Sequence, residues 1–425
     1  MHQVGQEIQE VDVKFSFLPW MVCFAATLFF FYEFIQGNMF ASIASNIMQS
    51  YHIQADKMTY LSSIYYFSNV LFLFVAGVIL DRFSVKNTLL VAMSLCVIST
   101  FILAYSYSFY IALLCRFLTG IGGAFCFLGP VRLASQWFPP NRMALITGII
   151  VTIAMTGGML AQYPLTILVA SLGWRKAVLY VGILGLIMLV VMFFGIKEKK
   201  LDFKKNEPFK KVTSILGKTY SNPQYLRAAL YTSLMNMAIA VFGAMMGTLY
   251  LEQRLPISTK EASMVNGLLF LGAIIGSPLV GWISDKVGLR ILPMKIGAIS
   301  SLIILLIILY LPVSLFQMAI LFFLLGFFTS AQVISYALVA ESSPPTLTAT
   351  AISVISILTQ GGYLIYQNIF SSLLTHHGSA ALIHGVPVYQ LGAYQYASII
   401  LPLGVIVAFM MTYGLKETNC IRSNY

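Results

Sequence analysis

Beyond a polar stretch that ends at Lys14, the chain is a succession of apolar runs of about 20 to 30 residues, with charged side chains almost confined to the gaps between them. A run of that length crosses the hydrocarbon of a bilayer as a helix, because a helix satisfies its own backbone hydrogen bonds where water is absent. Only 9% of the 425 residues are Asp, Glu, Lys or Arg, against about 25% in a soluble domain. So little charge cannot cover the surface of a soluble chain this size. A soluble enzyme, a nucleic-acid module and a disordered chain are thereby excluded, and the net charge of +11 calls for no nucleic-acid partner. The lipid bilayer is the expected surrounding.

The runs predict twelve helices near 17–45, 57–80, 87–107, 109–136, 142–170 and 175–196, then 224–252, 260–284, 291–312, 314–340, 346–375 and 392–415. Residues 197–222 form the one long polar stretch, with eight lysines from Lys197 to Lys218. It reads as a solvated linker at anionic headgroups, between an N-terminal six-helix bundle, 1–196, and a C-terminal one, 223–425. With the N-terminus inside, 19 of the 25 basic residues fall on the cytoplasmic side. Lys57, Arg116, Arg175, Lys176, Arg254 and Lys260 fall on the other side or at its membrane edge. Both termini are therefore expected inside. The first apolar run lacks a small-residue cleavage site and reads as a membrane helix rather than a signal peptide. The five cysteines lie in apolar runs or near the C-terminus and suggest no disulfide framework.

The two sets of helices repeat. Gly77-Val-Ile-Leu-Asp81-Arg82 recurs as Gly281-Trp-Ile-Ser-Asp285-Lys286, an offset of 204, and Pro139-Pro140 recurs as Pro344-Pro345, an offset of 205. Thr156-Gly157-Gly158 is echoed by Gly361-Gly362. Parallel six-helix repeats belong to transporters that rock about a central site.

These residues resemble the major facilitator superfamily over essentially the whole chain. The family's loop between helices 2 and 3 reads Gly-x-x-x-Asp-Arg/Lys-x-Gly-Arg/Lys. Gly77, Asp81, Arg82 and Lys86 match, with Ser84 in place of the second glycine; the second copy, Gly281, Asp285, Lys286, Gly288 and Arg290, keeps that glycine. Such glycines would permit close approach of two helices at the cytoplasmic rim, and the charges would pair or cap helix ends. Arg116-x-x-x-Gly120 followed by Ser135-x-Trp137-x-Pro139-Pro140-x-Arg142 is similar to organic-anion and nutrient porters of the superfamily. Phe31-Tyr-Glu33-Phe-Ile-Gln36-Gly-Asn38 is similar to bacterial porters of the phagosomal nutrient type. Helix 5 lacks the Gly-Pro-x-x-Gly-Gly stretch of drug/proton antiporters, a departure that counts against multidrug efflux. The resemblance implies an all-α membrane protein of twelve helices in two pseudo-symmetric bundles, with helices 1, 4, 7 and 10 lining a central cavity.

An ionisable group inside a span marks function by default. Glu33 lies near the middle of the first run, and Gln36 and Phe40 share its face at helical spacing. Arg116 lies about two turns inside the outer end of the fourth run, and Arg132 is roughly 24 Å further along and about 160° round the helix. Arg116 is therefore the cavity candidate and Arg132 a gate or rim contact. Both charged groups also admit a structural reading, in which each bonds a neighbouring helix. Tyr65, Tyr66, Asn69, Tyr231, Asn236, Asn266, Gln332, Tyr336, Gln360, Tyr363, Tyr366 and Gln367 supply hydroxyls and amides suited to a polar solute, or to helix–helix bonding. The substrate set expected from these is Glu33, Gln36, Phe40, Tyr66, Arg116, Asn236, Gln332, Tyr336, Gln360 and Tyr363. Gly77, Asp81, Arg82, Arg132, Gly281, Asp285 and Lys286 are expected at the gates.

Coupling to protons needs a group that gains and loses a proton as access alternates. All five histidines fall outside the predicted spans, which leaves Glu33. There is no Walker loop, metal-ligand spacing or nucleophile–base pair, so no enzyme activity, cofactor or metal is expected. The reading is a secondary transporter, a monomer in a bacterial inner membrane, that imports a small polar solute with protons by alternating access. An amino acid or small peptide fits, since Glu33 could take an ammonium and Arg116 a carboxylate. Export of a carboxylate-rich metabolite such as a siderophore, multidrug efflux, and a sensor built on a transporter fold are the alternatives.

Overall fold

The structure is a computed structural model. It describes residues 17–138, 143–198, 221–343, 348–377, 381–383 and 386–421. The pairs Pro139-Pro140 and Pro344-Pro345, Arg142, and the lysine-rich stretch over 199–220 lie outside the described residues, as do the side chains of Asp81 and Arg82.

The protein is an all-α, multi-pass membrane protein. Ten described segments are long and apolar enough to cross a bilayer. Two further helices, Ala55–Arg82 and Thr348–His377, have 28 and 30 residues, or about 42 and 45 Å at the helical rise. They carry more polar side chains, for a reason that emerges at the centre of the molecule. In chain order these two are the second and eleventh spans. A short antiparallel pair of strands, Ala381–Ile383 with Val386–Val388, follows the eleventh span, where the sequence pattern predicted no regular element. The first span also runs further than its apolar stretch suggested, to Tyr51, because Asn46, Gln49 and Ser50 continue the helix beyond residue 45.

Packing repeats as the sequence does. In the N-terminal half the first span packs on the fifth, the second on the fourth and the third on the sixth; in the C-terminal half the seventh packs on the eleventh, the eighth on the tenth and the ninth on the twelfth. The halves meet where the second span lies on the eleventh and the fifth on the eighth. Without water to drive association, such contacts depend on small residues that let backbones approach. A Cβ on Gly120 would stand 2.2 Å from the Tyr65 carbonyl oxygen, and one on Gly326 would stand 1.9 Å from that of Leu269.

The first, fourth, seventh and tenth spans are each interrupted along their length. The first breaks at Met39, between helices Phe17–Asn38 and Phe40–Tyr51; the fourth breaks between Phe109–Gly123 and Leu128–Trp137. The seventh runs Pro223–Met235, then a π turn over Ile239–Met246, then Gly247–Arg254. The tenth passes from Leu315–Thr329 through a 3₁₀ turn, Ser330–Val333, to Ile334–Glu341. Irregular backbone at membrane depth exposes carbonyl and amide groups, and transporters use such breaks to build their sites. The fifth span has a similar break, at Gln162 between Met143–Leu160 and Tyr163–Leu172.

Candidate functional site

The break in the fourth span faces Glu33. Glu33 is 2% exposed, and the Tyr65 hydroxyl donates to its Oε2 at 2.9 Å. Its Oε1 has no hydrogen-bond partner, nor has the buried Nδ2 of Asn69. Gly123 makes room for all three groups, since a Cβ there would lie 2.8 Å from Glu33 Oε2, 2.9 Å from the Tyr65 hydroxyl and 3.0 Å from Asn69 Nδ2.

Arg116 lies within the same group, fully buried. Its Nε donates to the Leu61 carbonyl at 3.1 Å. The guanidinium lies against two rings, with the Phe40 and Tyr65 centroids each 4.7 Å from Cζ. Nη1 and Nη2 have no partner. Glu33 and Arg116 are thus joined through Tyr65, which hydrogen-bonds one and stacks on the other, rather than by a direct ion pair. A buried guanidinium with two unused donors is costly to keep. With Nε engaged, the edge left is that of Nη1 and Nη2, which can bind a carboxylate through two parallel hydrogen bonds.

From Tyr65 an aromatic path leads to the other half. Tyr65 packs edge-on against Tyr66 at 4.9 Å, and Tyr66 lies 4.8 Å from Tyr363 of the eleventh span. Part of the polarity of the second and eleventh spans is accounted for here: Tyr66 and Tyr363 meet across the halves, while Tyr65 bonds Glu33 of the first span and Gln367 donates to the Ala240 carbonyl of the seventh at 2.9 Å. Tyr336 stands half-buried on the tenth span, and Gln360 half-buried on the eleventh. Asn236 and Gln332 meet at the breaks of the seventh and tenth spans, where Gln332 Nε2 donates to Asn236 Oδ1 at 3.1 Å.

Gln36 does not join this group. Its amide donates to Thr100 Oγ1 of the third span at 2.9 Å, beside the Tyr32 hydroxyl at 3.0 Å from the same atom. Sharing a helix face with Glu33 was too coarse a criterion, because that face is wide enough to touch both the second and third spans. Tyr231 is likewise occupied, donating to the Met294 carbonyl at 2.8 Å. Tyr366 bonds Ser233 at 2.8 Å.

At the proximal rim, the end where the first span begins, the two halves differ. In the C-terminal half Arg290 binds Asp285 and Glu341, each at 2.6 Å, and Ser284 at 3.0 Å. Glu417, after the twelfth span, accepts from the Arg290 and Ile291 amides at 2.9 and 2.8 Å and so caps the ninth span. Burial alone would lower the Arg290 pKa, but its bonds to Glu341 and Asp285 raise it. Burial would raise the Glu417 carboxyl, yet its backbone donors hold it below the usual carboxylate range. Lys286 lies apart from this cluster, 4.9 Å above the Trp282 ring.

In the N-terminal half Ser84 replaces the glycine and caps the third span, accepting from the Asn87 amide at 3.2 Å and donating to Glu198 Oε2 at 2.6 Å. The Val85 amide donates to Glu198 Oε1 at 3.0 Å. Gly288 has φ of +72°, which suits glycine, whereas Ser84 has φ of −56° and needs none. Arg132 is exposed at this end of the fourth span. Gly77 and Gly281 are not close-packed as expected: a Cβ at either would meet nothing within 4 Å.

Two features went unnoticed in the sequence. Gly195-Ile-Lys-Glu198 and Gly414-Leu-Lys-Glu417 repeat at the ends of the sixth and twelfth spans, and both glutamates cap the helix that follows the motif loop. A search for self-similarity among charged tetrapeptides would have found them. Gln162 was also missed, since a lone amide next to Tyr163-Pro164 gives no periodic signal.

Comparison with known proteins places these features. The Major Facilitator Superfamily model matches residues 22–257 and 228–419. The hexuronate transporter of Bacillus subtilis is 24% identical over 265 residues, 60% of this chain and 62% of that protein. The 4-hydroxybenzoate transporter of Acinetobacter baylyi is 24% identical over 311 residues, 65% of this chain and 67% of that one. The lysosomal dipeptide transporter of Danio rerio is 20% identical over 290 residues, 62% of this chain and 61% of that one. The match thus spans about three fifths of the first of these relatives. A bacterial homolog of the human lysosomal transporter Spinster, solved in an inward-facing and occupied conformation, superposes with a TM-score of 0.75 at 15% identity, covering 94% of this chain and 97% of that one.

Proposed function

Since the chain belongs to the major facilitator superfamily, whose members are transporters and not enzymes, we propose that it is a secondary transporter importing a small carboxylate-bearing solute by alternating access. The observation that carries this reading is the buried edge of Arg116, with Nη1 and Nη2 unpartnered beside the Phe40 and Tyr65 rings. A carboxylate would supply the two acceptors that edge lacks. The unpartnered Oε1 of Glu33 would accept from a donor near that carboxylate, which an amino acid or a small peptide provides. The relatives named for hexuronate, 4-hydroxybenzoate and dipeptides support a carboxylate, because each of those solutes carries one.

Glu33 is the proposed proton carrier: a carboxyl group at membrane depth that moves between protonated and charged forms changes what Tyr65 and the solute can bond to it. The lysine and arginine bias favours both termini on the cytoplasmic face of a bacterial inner membrane. A monomer would suffice, since both halves lie in one chain.

Uptake into proteoliposomes of radiolabelled alanine, dialanine and glucuronate, with an inward proton gradient, tests the proposal. Wild type should accumulate at least one of them. Arg116→Lys should lose more than about 100-fold of that rate, since a point charge cannot replace a bidentate fork. Glu33→Gln should exchange solute but no longer respond to the gradient. Uptake undiminished in Arg116→Lys would remove the carboxylate reading, and gradient-driven uptake in Glu33→Gln would remove the proton role.

A further inference from the structure

We infer that Gln162 is a positioning residue of the transport cycle, which holds the distal end of the bundle shut by taking a carbonyl that the π turn of the seventh span leaves free. The Gly247 amide donates to Phe242 O, five residues back. In an α-helix that amide would serve Gly243 O, four residues back. Gly243 O is instead occupied from the opposite half, by Gln162 Nε2 at 2.8 Å.

Asn266 of the eighth span completes the arrangement. Its Nδ2 donates both to Gln162 Oε1 at 2.8 Å and to Phe242 O at 3.0 Å. Gln162 and Asn266 are fully buried, and the two amides between them engage the two carbonyls that distinguish the π register from the α register. Gly247 is small where it must be, since a Cβ there would lie 2.4 Å from Phe242 O and 2.5 Å from Asn266 Oδ1. Around this core the halves touch again at the same end. Phe270 lies against Gly158, Thr59 donates to the Met245 sulfur at 3.4 Å, and the Ala55 amide to the Tyr389 hydroxyl at 3.4 Å.

The consequence is a coupling between gate and helix register. When the halves part at this end, Gln162 leaves Gly243 O without a donor. An unpaired carbonyl is expensive at membrane depth. The remedy available within the seventh span is for the Gly247 amide to return to Gly243 O, which converts the π turn to α. A π turn inside an α-helix is a frequent mark of a functional position. No titratable group belongs to the latch, so it opens through the parting of the halves rather than through protonation.

Hydrogen–deuterium exchange of the full-length protein in detergent, read by mass spectrometry, tests this without a known solute. Gln162→Met keeps the side-chain length and removes both bonds. Gln162→Leu is shorter by one heavy atom and likewise offers neither a donor to Gly243 nor an acceptor to Asn266. In both, peptides covering 239–250 should exchange at least tenfold faster than in wild type, with peptides covering 291–310 unchanged. Wild-type protection of 239–250 in both variants would overturn the inference. So would an equal rise in both regions, which marks a general loss of stability.

Discussion

In the N-terminal half the buried charge lies on Glu33 and Arg116, with Glu33 Oε1 and Arg116 Nη1 and Nη2 unpartnered. In the C-terminal half the breaks of the seventh and tenth spans hold the neutral amides Asn236 and Gln332, already bonded to each other. Its buried cation, Arg290, lies at the rim with each terminal guanidinium nitrogen on a carboxylate. The halves share one packing plan, so the plan does not dictate where charge goes. A cation with partners stabilises the fold around it, whereas a cation without them is kept for something the folded chain does not itself supply. The contrast separates a residue that serves stability from one that serves binding.

Removing each cation should therefore move stability in opposite directions. Arg290→Met takes the cation from Glu341, whose side chain is only 16% exposed and keeps its bond from the Thr418 hydroxyl, and should cost roughly 2–3 kcal/mol, below the full range for a buried pair because Asp285 is largely exposed. Arg116→Met strands no carboxylate in a direct pair and should leave stability unchanged or raise it by up to about 2 kcal/mol, while abolishing solute uptake. Thermal unfolding of both variants in one detergent measures this. A large destabilisation by Arg116→Met would mean that Arg116 is a structural cation like Arg290, and the contrast between the halves would collapse.

The architecture was legible because lipid imposes simple rules on a sequence: long apolar runs, few charges, and a repeat offset of 204 residues. Glu33 and Arg116 were legible for the same reason, as charges stranded at depth. What a helix face cannot convey is which neighbour a side chain meets. Gln36 turns to Thr100 although it sits three residues from Glu33, while Tyr65, beside the expected Tyr66, proves to be the link between the two charges. The breaks in the spans were equally hidden. Gly, Asn and Ser are common inside membrane helices, and nothing local distinguishes a glycine that packs a neighbour, such as Gly120, from one that stands free, such as Gly77.

The rim loops offer a smaller test of the same contrast. Ser84→Ala removes the cap of the third span and the bond to Glu198, and should cost about 1 kcal/mol. In the other half the Glu417 carboxyl is held below its ordinary value by backbone donors. A group whose value is lowered on folding stabilises the fold above its unfolded value, and that contribution disappears as pH falls through the lowered one. Wild-type melting temperature should therefore fall on acidification below the ordinary carboxylate range, and Glu417→Gln should flatten part of that fall. The effect is modest because the group is only half-buried. An unaltered acid limb in Glu417→Gln would show that this cap contributes nothing the N-terminal half lacks.

Gly77 and Gly281 give the finest comparison, since here the halves agree. Both sit on helices with open space where a Cβ would go, so in this state glycine has no packing reason to be there. Alanine should then raise stability slightly, by up to about 1 kcal/mol at each position through helix propensity. If the rims close on each other in another stage of the cycle, the same methyl groups would obstruct that stage, and the double variant Gly77→Ala, Gly281→Ala would be more stable yet slower in uptake. A variant both more stable and fully active would show that these glycines serve neither state. The small repeat at the rim would then be a remnant of the duplicated loop rather than part of the moving machinery.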